Sequence, residues 1–383
     1  MRQPNHSEVA LKSFEHFLSQ LATIPDPRRA EGKLYQLPHV LLFSIFAIVS
    51  GANSYRGIRT FIKVHRPQLN RAFKIRWKRP PAHTAIRYIL QGLSPADVEN
   101  VFRQHAADLN HAGSSPGTRV VAFDGKTLKG SFDNFNDVKA KQVLSAFAAN
   151  TALVLAHIEI DEKSNEIPAV QKLLEELNVA GHIVHLRCDA LSKKTFEAAA
   201  NAHLIVQLKD NQLTLRQKVE AVCNTTTPLS GVRTVDEKRR NRHETRTIAV
   251  FDATPAVVGT QWEPYVAAVV QVERTVHAFQ PATGLWRTSA ETSFYLCNCM
   301  IDANRAAIAV RMHWGIENKL HYTRDVTLRE DASRIRKNPG VFARIRSFAY
   351  NILRFNQSDT IPQDRYAAAL GGLKSIFSMT FSK

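Results

Sequence analysis

Cysteine is scarce in this chain of 383 residues: there are four, Cys188, Cys223, Cys297 and Cys299, with no C-x-x-C pair and no histidine at zinc-finger spacing. That excludes a disulfide framework and a structural zinc, and fits a reducing compartment. Long apolar runs are lacking too. The longest, VLLFSIFAIVSGA at residues 40–52, falls short of the ~20 residues of a membrane helix and lies too far inside the chain for a secretory signal. It is expected to be a buried helix. With no targeting signal at the start, the expected location is the cytoplasm, with no membrane as partner. No internal repeat is visible. The last shortage is local: no Asp or Glu occurs between Glu31 and Asp97, a stretch that holds eleven Lys or Arg.

What is present is ordinary in composition and unusual in charge. Hydrophobic residues make up 44% and charged ones 22%, which excludes collagen-like, low-complexity and wholly disordered chains; the length suits about two or three domains. The 51 Lys and Arg against 34 Asp and Glu leave a net charge of +17, a field that attracts polyanions and makes nucleic acid the leading partner. The acid-free stretch interleaves Arg56, Arg59, Lys63, Lys74, Arg76, Lys78 and Arg79 with Tyr55, Phe61, Phe73 and Trp77. Arg56, Arg59 and Lys63 follow i, i+3, i+7 spacing and are expected to line one helix face for phosphate contact. The alternative is a solvated basic face.

Helical signals dominate up to residue 112. Ser94 as N-cap, Pro95 in the first helical position and Asp97 in the first turn open one such helix. The aperiodic HAGSSPGTR at residues 111–119 marks a boundary, after which strand signals take over. VVAFD ends at Asp124; VLSAFAA and ALVLAHIEI flank Asn150 and Thr151 as a hairpin; NEIPAVQKLLEELNVAG is a helix; HIVHLRCD is a strand ending at Asp189; the helix SKKTFEAAANA and the strand HLIVQLKD follow. This βββαβαβ order resembles the ribonuclease-H-like fold, an α/β architecture with acidic residues at neighbouring strand ends. The expected organisation is a basic helical DNA-binding domain at 1–112 and a first part of a ribonuclease-H-like catalytic core at 118–218. A β-rich insertion at 219–300, helices completing the core at 301–357 and a tail at 358–383 follow.

Asp124 and Asp189 thus fall at strand ends, and Glu317 lies on the last core helix, expected to start near Asp302. Three carboxylates from distant parts of a chain can hold two divalent cations about 3.5–4 Å apart, which activate the attacking oxygen and stabilise the leaving oxygen of a phosphodiester. All-oxygen ligands suit Mg²⁺ or Mn²⁺. Taken singly, Asp124 could start a turn, Asp189 cap a helix and Glu317 pair at the surface. His313, Glu317 and His321 share i, i+4, i+8 spacing, but imidazole suits hard cations poorly and no H-E-x-x-H occurs, so packing or DNA contact is expected instead of zinc. Lys126 and Lys129 are candidate phosphate clamps or turn solubilisers. Asp325, Glu330 and Asp331, set among Arg324, Arg329, Arg334 and Arg336, are expected to form internal salt bridges.

FDGKTLKGS around Asp124, DEKSNEIPAV at 161–170, LRCDAL around Asp189, QLKDNQ at 207–212, HETR at 243–246 and HWGIENKLHYTRDVTLREDASRIR from His313 follow one another in the chain. Together they resemble the H-repeat-associated DDE transposases of bacterial insertion sequences. The resemblance implies that Asp124, Asp189 and Glu317 are the DDE triad, working with two Mg²⁺ or Mn²⁺ ions on double-stranded DNA. It further implies cleavage at the element's inverted repeats and strand transfer to target DNA, by a homodimer acting on the nucleoid. Lys209, in QLKDNQ, joins the DNA-binding set. So do Arg242 and Arg246 in the basic loop EKRRNRHETR at 237–246, whose alternative role is to protect a sheet edge. Related proteins carry Tyr-x2-Arg-x3-Glu-x6-Lys where this chain has Val310, His313, Glu317 and Arg324; His313 and Arg324 are expected to contact phosphate in their place. LRCDAL also lacks the usual Gly-Cys-Gln after its Asp. These departures keep open a catalytically weakened or domesticated DNA-binding protein, and the fold keeps open a nuclease that cuts without joining.

Overall fold

A computed structural model describes residues 6–113, 117–132, 139–160, 166–187, 191–236 and 241–381. The protein is mixed α/β, with a large sheet and many helices. It divides into two units that interleave along the chain. One holds Met1–Pro116, Gly125–Ser164 and Gly315–Lys383; the other holds Gly117–Asp124 and Asn165–Trp314.

The first unit contains helices α1 (His6–Ala22), α2 (Leu37–Val49), α3 (Tyr55–Ala72), α4 (His83–Gly92) and α5 (Pro95–Gly113). The sequence LPHVLLFSIFAIV of α2 is apolar all round, so no face of it can be left to water, and Val40 to Val49 are all buried. Helices α1 and α3 pack on it. By length and composition residues 30–49 would reach across a membrane, yet α2 is the centre of this unit. Its aromatic side chains meet in a cluster: Phe46 lies 5.7 Å from Phe14 and 5.1 Å from Phe381, and Phe43 lies 5.3 Å from Phe73. The Ser94 hydroxyl accepts from the Asp97 amide at 3.3 Å, the cap expected for α5.

Strand β1 (Val120–Thr127) crosses from one unit to the other between Asp124 and Gly125. Strands β2 (Gln142–Ala148) and β3 (Leu153–Ile160) form the expected antiparallel hairpin, Ala148 opposite Leu153. The second unit adds α6 (Glu166–Glu176), β4 (Ile183–Leu186), α7 (Lys193–Ala198), β5 (His203–Leu208) and α8 (Leu213–Thr225). After these come β6 (Ser230–Asp236), β7 (Arg242–Asp252), the short α9 (Thr254–Val257), β8 (Ala268–Gln280), β9 (Leu285–Cys297) and α10 (Ala303–Gly315). Its strand order is β1-β4-β5-β9-β8-β7-β6. β1, β4 and β5 are parallel, and β4 is buried throughout, as a strand covered on both faces must be. From β5 onward the pairs are antiparallel.

Five local features differ from the sequence reading. Strand β1 does not end at Asp124 but continues to Thr127. Helix α8 continues through Thr225, so strand structure resumes only at Ser230. HETR lies on β7 and not in a loop, while residues 237–240 fall outside the described residues. The helix begun at α10 changes character after Gly315 into two π-helical turns, Ile316–His321 and Thr323–Thr327. After α11 (Pro339–Phe355), the expected tail contains α12 (Ile361–Phe377), kinked at Gly372, whose φ of 58° no helical residue has.

Candidate functional site

Within the second unit, Val120, Val121, Ala122 and Phe123 are buried and pair in parallel with Ile183 to Leu186, Phe123 opposite Leu186. The pairing stops there, at the end of β4, while β1 runs on to Thr127. Asp124 follows Phe123 directly and is half-buried. Asp189 follows Leu186 by three residues, but it lies outside the described residues together with Cys188 and Ala190.

The end of β4 is fastened to the end of α10. His185 and His313 are both fully buried, with their rings 4.5 Å apart, and Tyr295 stands 5.2 Å from His185 on another side. Burial keeps the His185 imidazole well below its ordinary pKa, and the neighbouring His313 and Arg187 push in the same direction. The Arg187 guanidinium lies over the Trp314 ring at 4.6 Å, and that of Arg274 at 5.5 Å. His313, expected at a phosphate, is thus an interior residue: with no surface exposed, it cannot meet a polyanion in this structure.

Glu317 belongs to the first unit and sits half-buried on the π-helical turn, between buried Ile316 and Leu320. Arg324, the other departure from the related signature, is 1% exposed and donates to Glu330 at 2.8 Å. Burial would raise the Glu330 carboxyl, but Arg324 and Arg346 outweigh it and hold the group below its usual range. Arg324 is therefore committed to an internal ion pair and not to phosphate. His321 is pushed down to about 3 by burial, with Arg324 and Lys126 adding to the effect.

Lys126 and Lys129 also find internal partners. The Lys126 side chain is only 8% exposed; its ammonium pairs with Asp325 and lies 3.5 Å from Asp331. Lys129, 70% exposed, reaches Asp331 at 2.8 Å. The acidic cluster thus makes the internal salt bridges expected of it, and both lysines expected to clamp phosphate take part.

The basic stretch is largely at the surface. Arg56 and Lys63 are exposed on α3 and Arg59 is half-buried there, while Ile58, Ile62 and Leu69 turn into the unit. The Ser54 hydroxyl caps the helix by accepting from the Gly57 amide at 3.1 Å. Beyond α3, exposed Lys74, Arg76, Lys78 and Arg79 surround Trp77, which is buried 5.0 Å from Tyr35 and 5.3 Å from Phe43. Asn70 donates to the Trp77 carbonyl and accepts from its amide, and Arg66 donates to the Lys78 carbonyl. A buried indole thus anchors a short basic loop.

In the second unit, Arg242, Arg246 and Arg274 converge on Glu244, with Arg242 at 3.0 Å and Arg274 at 2.7 Å. Burial disfavours the charged carboxyl of Glu244, but Arg274 and Arg246 bring it below its usual range. Arg242 remains exposed; Arg246 is half-buried, as is Lys209 just after β5. Among the described residues, no group of three or more His, Cys, Asp or Glu is placed to hold a metal ion. By donor chemistry Asp124, Asp189 and Glu317 suit a hard cation. Arg187, Arg274 and Trp314 went unnoticed in the sequence. The only available signal was that Arg187 precedes Asp189 by two residues and Trp314 precedes Glu317 by three.

A family model described as DDE_Tnp_1-associated matches residues 18–106. "Putative protein YbfL" of Escherichia coli (strain K12) is 30% identical over 346 residues, covering 88% of this chain and 89% of the relative. "H repeat-associated putative transposase YhhI" of the same strain is 29% identical over 346 residues, again covering 88% and 89%. Among solved structures, a "Cryo-EM structure of piggyBac transposase synaptic complex with hairpin DNA" matches at 11% identity and a TM-score of 0.43, over 97% of this chain and 80% of the other.

Proposed function

Since the chain belongs to the H-repeat-associated DDE transposases of bacterial insertion sequences, we propose that it cleaves the ends of such an element and joins them to target DNA. The catalytic core in this reading is ribonuclease-H-like, and Asp124, Asp189 and Glu317 hold two Mg²⁺ or Mn²⁺ ions. The protein works in the cytoplasm on the nucleoid, as a homodimer bound to double-stranded inverted repeats. The observation that carries the reading is the parallel pairing of β1 with β4, whose last pair, Phe123 and Leu186, stands one residue before Asp124 and three before Asp189 in the sequence. Antiparallel β2 and β3, and the helices α6 and α7 on either side of β4 in sequence, suit the same core.

The chain's own residues have separable tasks. The carboxylates hold cations that, when bound, supply the electrostatic activation of the attacking and leaving oxygens. Exposed Arg56, Lys63, Lys74, Arg76, Lys78 and Arg79 bind phosphates and set the register of the duplex. Arg242 and Lys209 offer further cationic contacts. One observation favours a second reading, a weakened DNA-binding descendant: the positions of His313 and Arg324 are taken into the interior.

The test uses a supercoiled plasmid carrying the inverted repeats that flank the gene. Wild-type protein with Mg²⁺ is expected to cut at the repeat ends. Asp124→Ala, Asp189→Ala and Glu317→Ala are each expected to bring cleavage below detection while the affinity for repeat DNA is kept. DNA affinity falling in step with cleavage in all three variants would contradict the assignment; a wild type that binds repeats and never cuts would favour the second reading.

A further inference from the structure

We infer that Lys126 is a positioning residue that fastens strand β1 to the π-helical segment carrying Glu317, through Asp325 and Asp331. The inference rests on the function proposed above. Lys126 stands two residues after Asp124 on the same strand, and Asp325 stands eight residues after Glu317 on the same run of π turns.

A π turn does not hold itself as an α-helix does, because its i→i+5 hydrogen bonds are less favourable, and such turns recur where a functional side chain must be placed. The Glu317 segment therefore depends on its neighbours for its position. On one side Ile316, Leu320 and Leu328 are buried. On the other, Lys126 brings an ammonium to Asp325 from 199 residues away in sequence. Three further contacts run between the same two stretches of chain. Asp331 lies 3.5 Å from Lys126 and 2.8 Å from Lys129. A Cβ on Gly130 would come within 1.7 Å of the Ser333 carbonyl oxygen, so only glycine lets the backbones approach this closely.

Charge bookkeeping separates positioning from DNA contact. Two cations, Lys126 and Lys129, face two anions, Asp325 and Asp331, and Glu330 is matched by Arg324 and Arg346. Lys126 and Lys129 are thus matched one for one by the two aspartates, so each lysine already has a carboxylate partner. An ammonium as enclosed as that of Lys126 is tolerated because it is paired, and removing it leaves two carboxylates facing each other.

The experiment compares full-length Lys126→Met, Lys126→Arg and Asp325→Asn with wild type by hydrogen–deuterium exchange, DNA binding and repeat-end cleavage, with Asp124→Ala as control. Lys126→Met and Asp325→Asn are expected to speed exchange selectively in residues 316–331. Cleavage should fall about a hundredfold, the scale of an ångström-sized misplacement, while DNA affinity is unchanged. Lys126→Arg should restore both protection and most of the cleavage. Unchanged exchange in residues 316–331 overturns the inference, as does a loss of cleavage matched by a loss of DNA binding. Should neither wild type nor Asp124→Ala cut, the proposed function fails, and exchange alone still decides the clamp.

Discussion

Glu99 shows how this protein uses its charge inside. Its carboxylate, 5% exposed, accepts from the His157 amide at 2.7 Å, from Arg344 Nε at 2.7 Å and from Arg103 Nε at 3.0 Å. A carboxylate can only accept, so His157 Nδ1 carries a hydrogen toward it at 3.2 Å, while Nε2 lies 2.9 Å from the Ser347 hydroxyl oxygen. Ser347, His157 and Glu99 are strung like a hydrolase triad, but all three are buried, so their role is to tie α11 to β3 and α5. Burial works against ionised Glu99, yet His157 and Arg344 hold it well below its ordinary 4.5; burial also keeps His157 below its ordinary 6.5. Both folded values are depressed, so the unfolded chain takes up protons first as pH falls. Stability is expected to decline below pH 6.5 and more steeply below 4.5. Glu99→Gln should cost about 3 kcal/mol at neutral pH, by leaving buried Arg344 short of a partner, and should flatten the steeper acid branch. Denaturant titrations across pH check this; an acid branch as steep in the variant as in wild type would show that Glu99 does not carry it.

At the scale of elements, the basic helix was the most legible feature, because Arg56, Arg59 and Lys63 announce one face of α3 by spacing alone. The loop after it depends on something less visible, the burial of Trp77, which holds exposed Arg76 and Lys78 on either side. DNA affinity is expected to fall steeply with salt, and Arg76→Ala and Lys78→Ala should each lower the slope of log K against log salt by about 1. Slopes unchanged in both variants would remove this loop from the interface. The β-rich character of residues 219–300 was readable, but the basic residues of HETR suggested a loop where β7 already runs from Arg242. The π turns were not readable, since over a single turn their side-chain spacing is hard to tell from that of an α-helix. Helix α12 escaped notice because Gly371 and Gly372 interrupt its pattern, although Ile361, Ala368 and Ile376 on either side are buried. The clamp was invisible for a different reason: Lys126 and Asp325 are neighbours only in space.

For the whole molecule, the net charge of +17 read correctly as a surplus of cations but not as a map of them. Arg324, Arg344, Arg346 and Arg365 are buried, each bound to carboxylates or carbonyls, so part of the basic composition holds the fold together. Among the exposed cations, those of α3 and the loop behind it lie in a stretch of chain without acidic residues. The strand order was legible because parallel β1, β4 and β5 require the crossovers that α6 and α7 supply. The central claim is that three carboxylates from distant parts of the chain share their cations. Its most direct test replaces Mg²⁺ with Fe²⁺, adds ascorbate and peroxide, and maps where the bound iron cuts the polypeptide. The expected result is three sets of cuts, next to residues 124, 189 and 317, all suppressed by excess Mg²⁺ and all lost in Asp124→Ala. Cuts confined to one of these segments, or insensitive to Mg²⁺, would contradict a shared site.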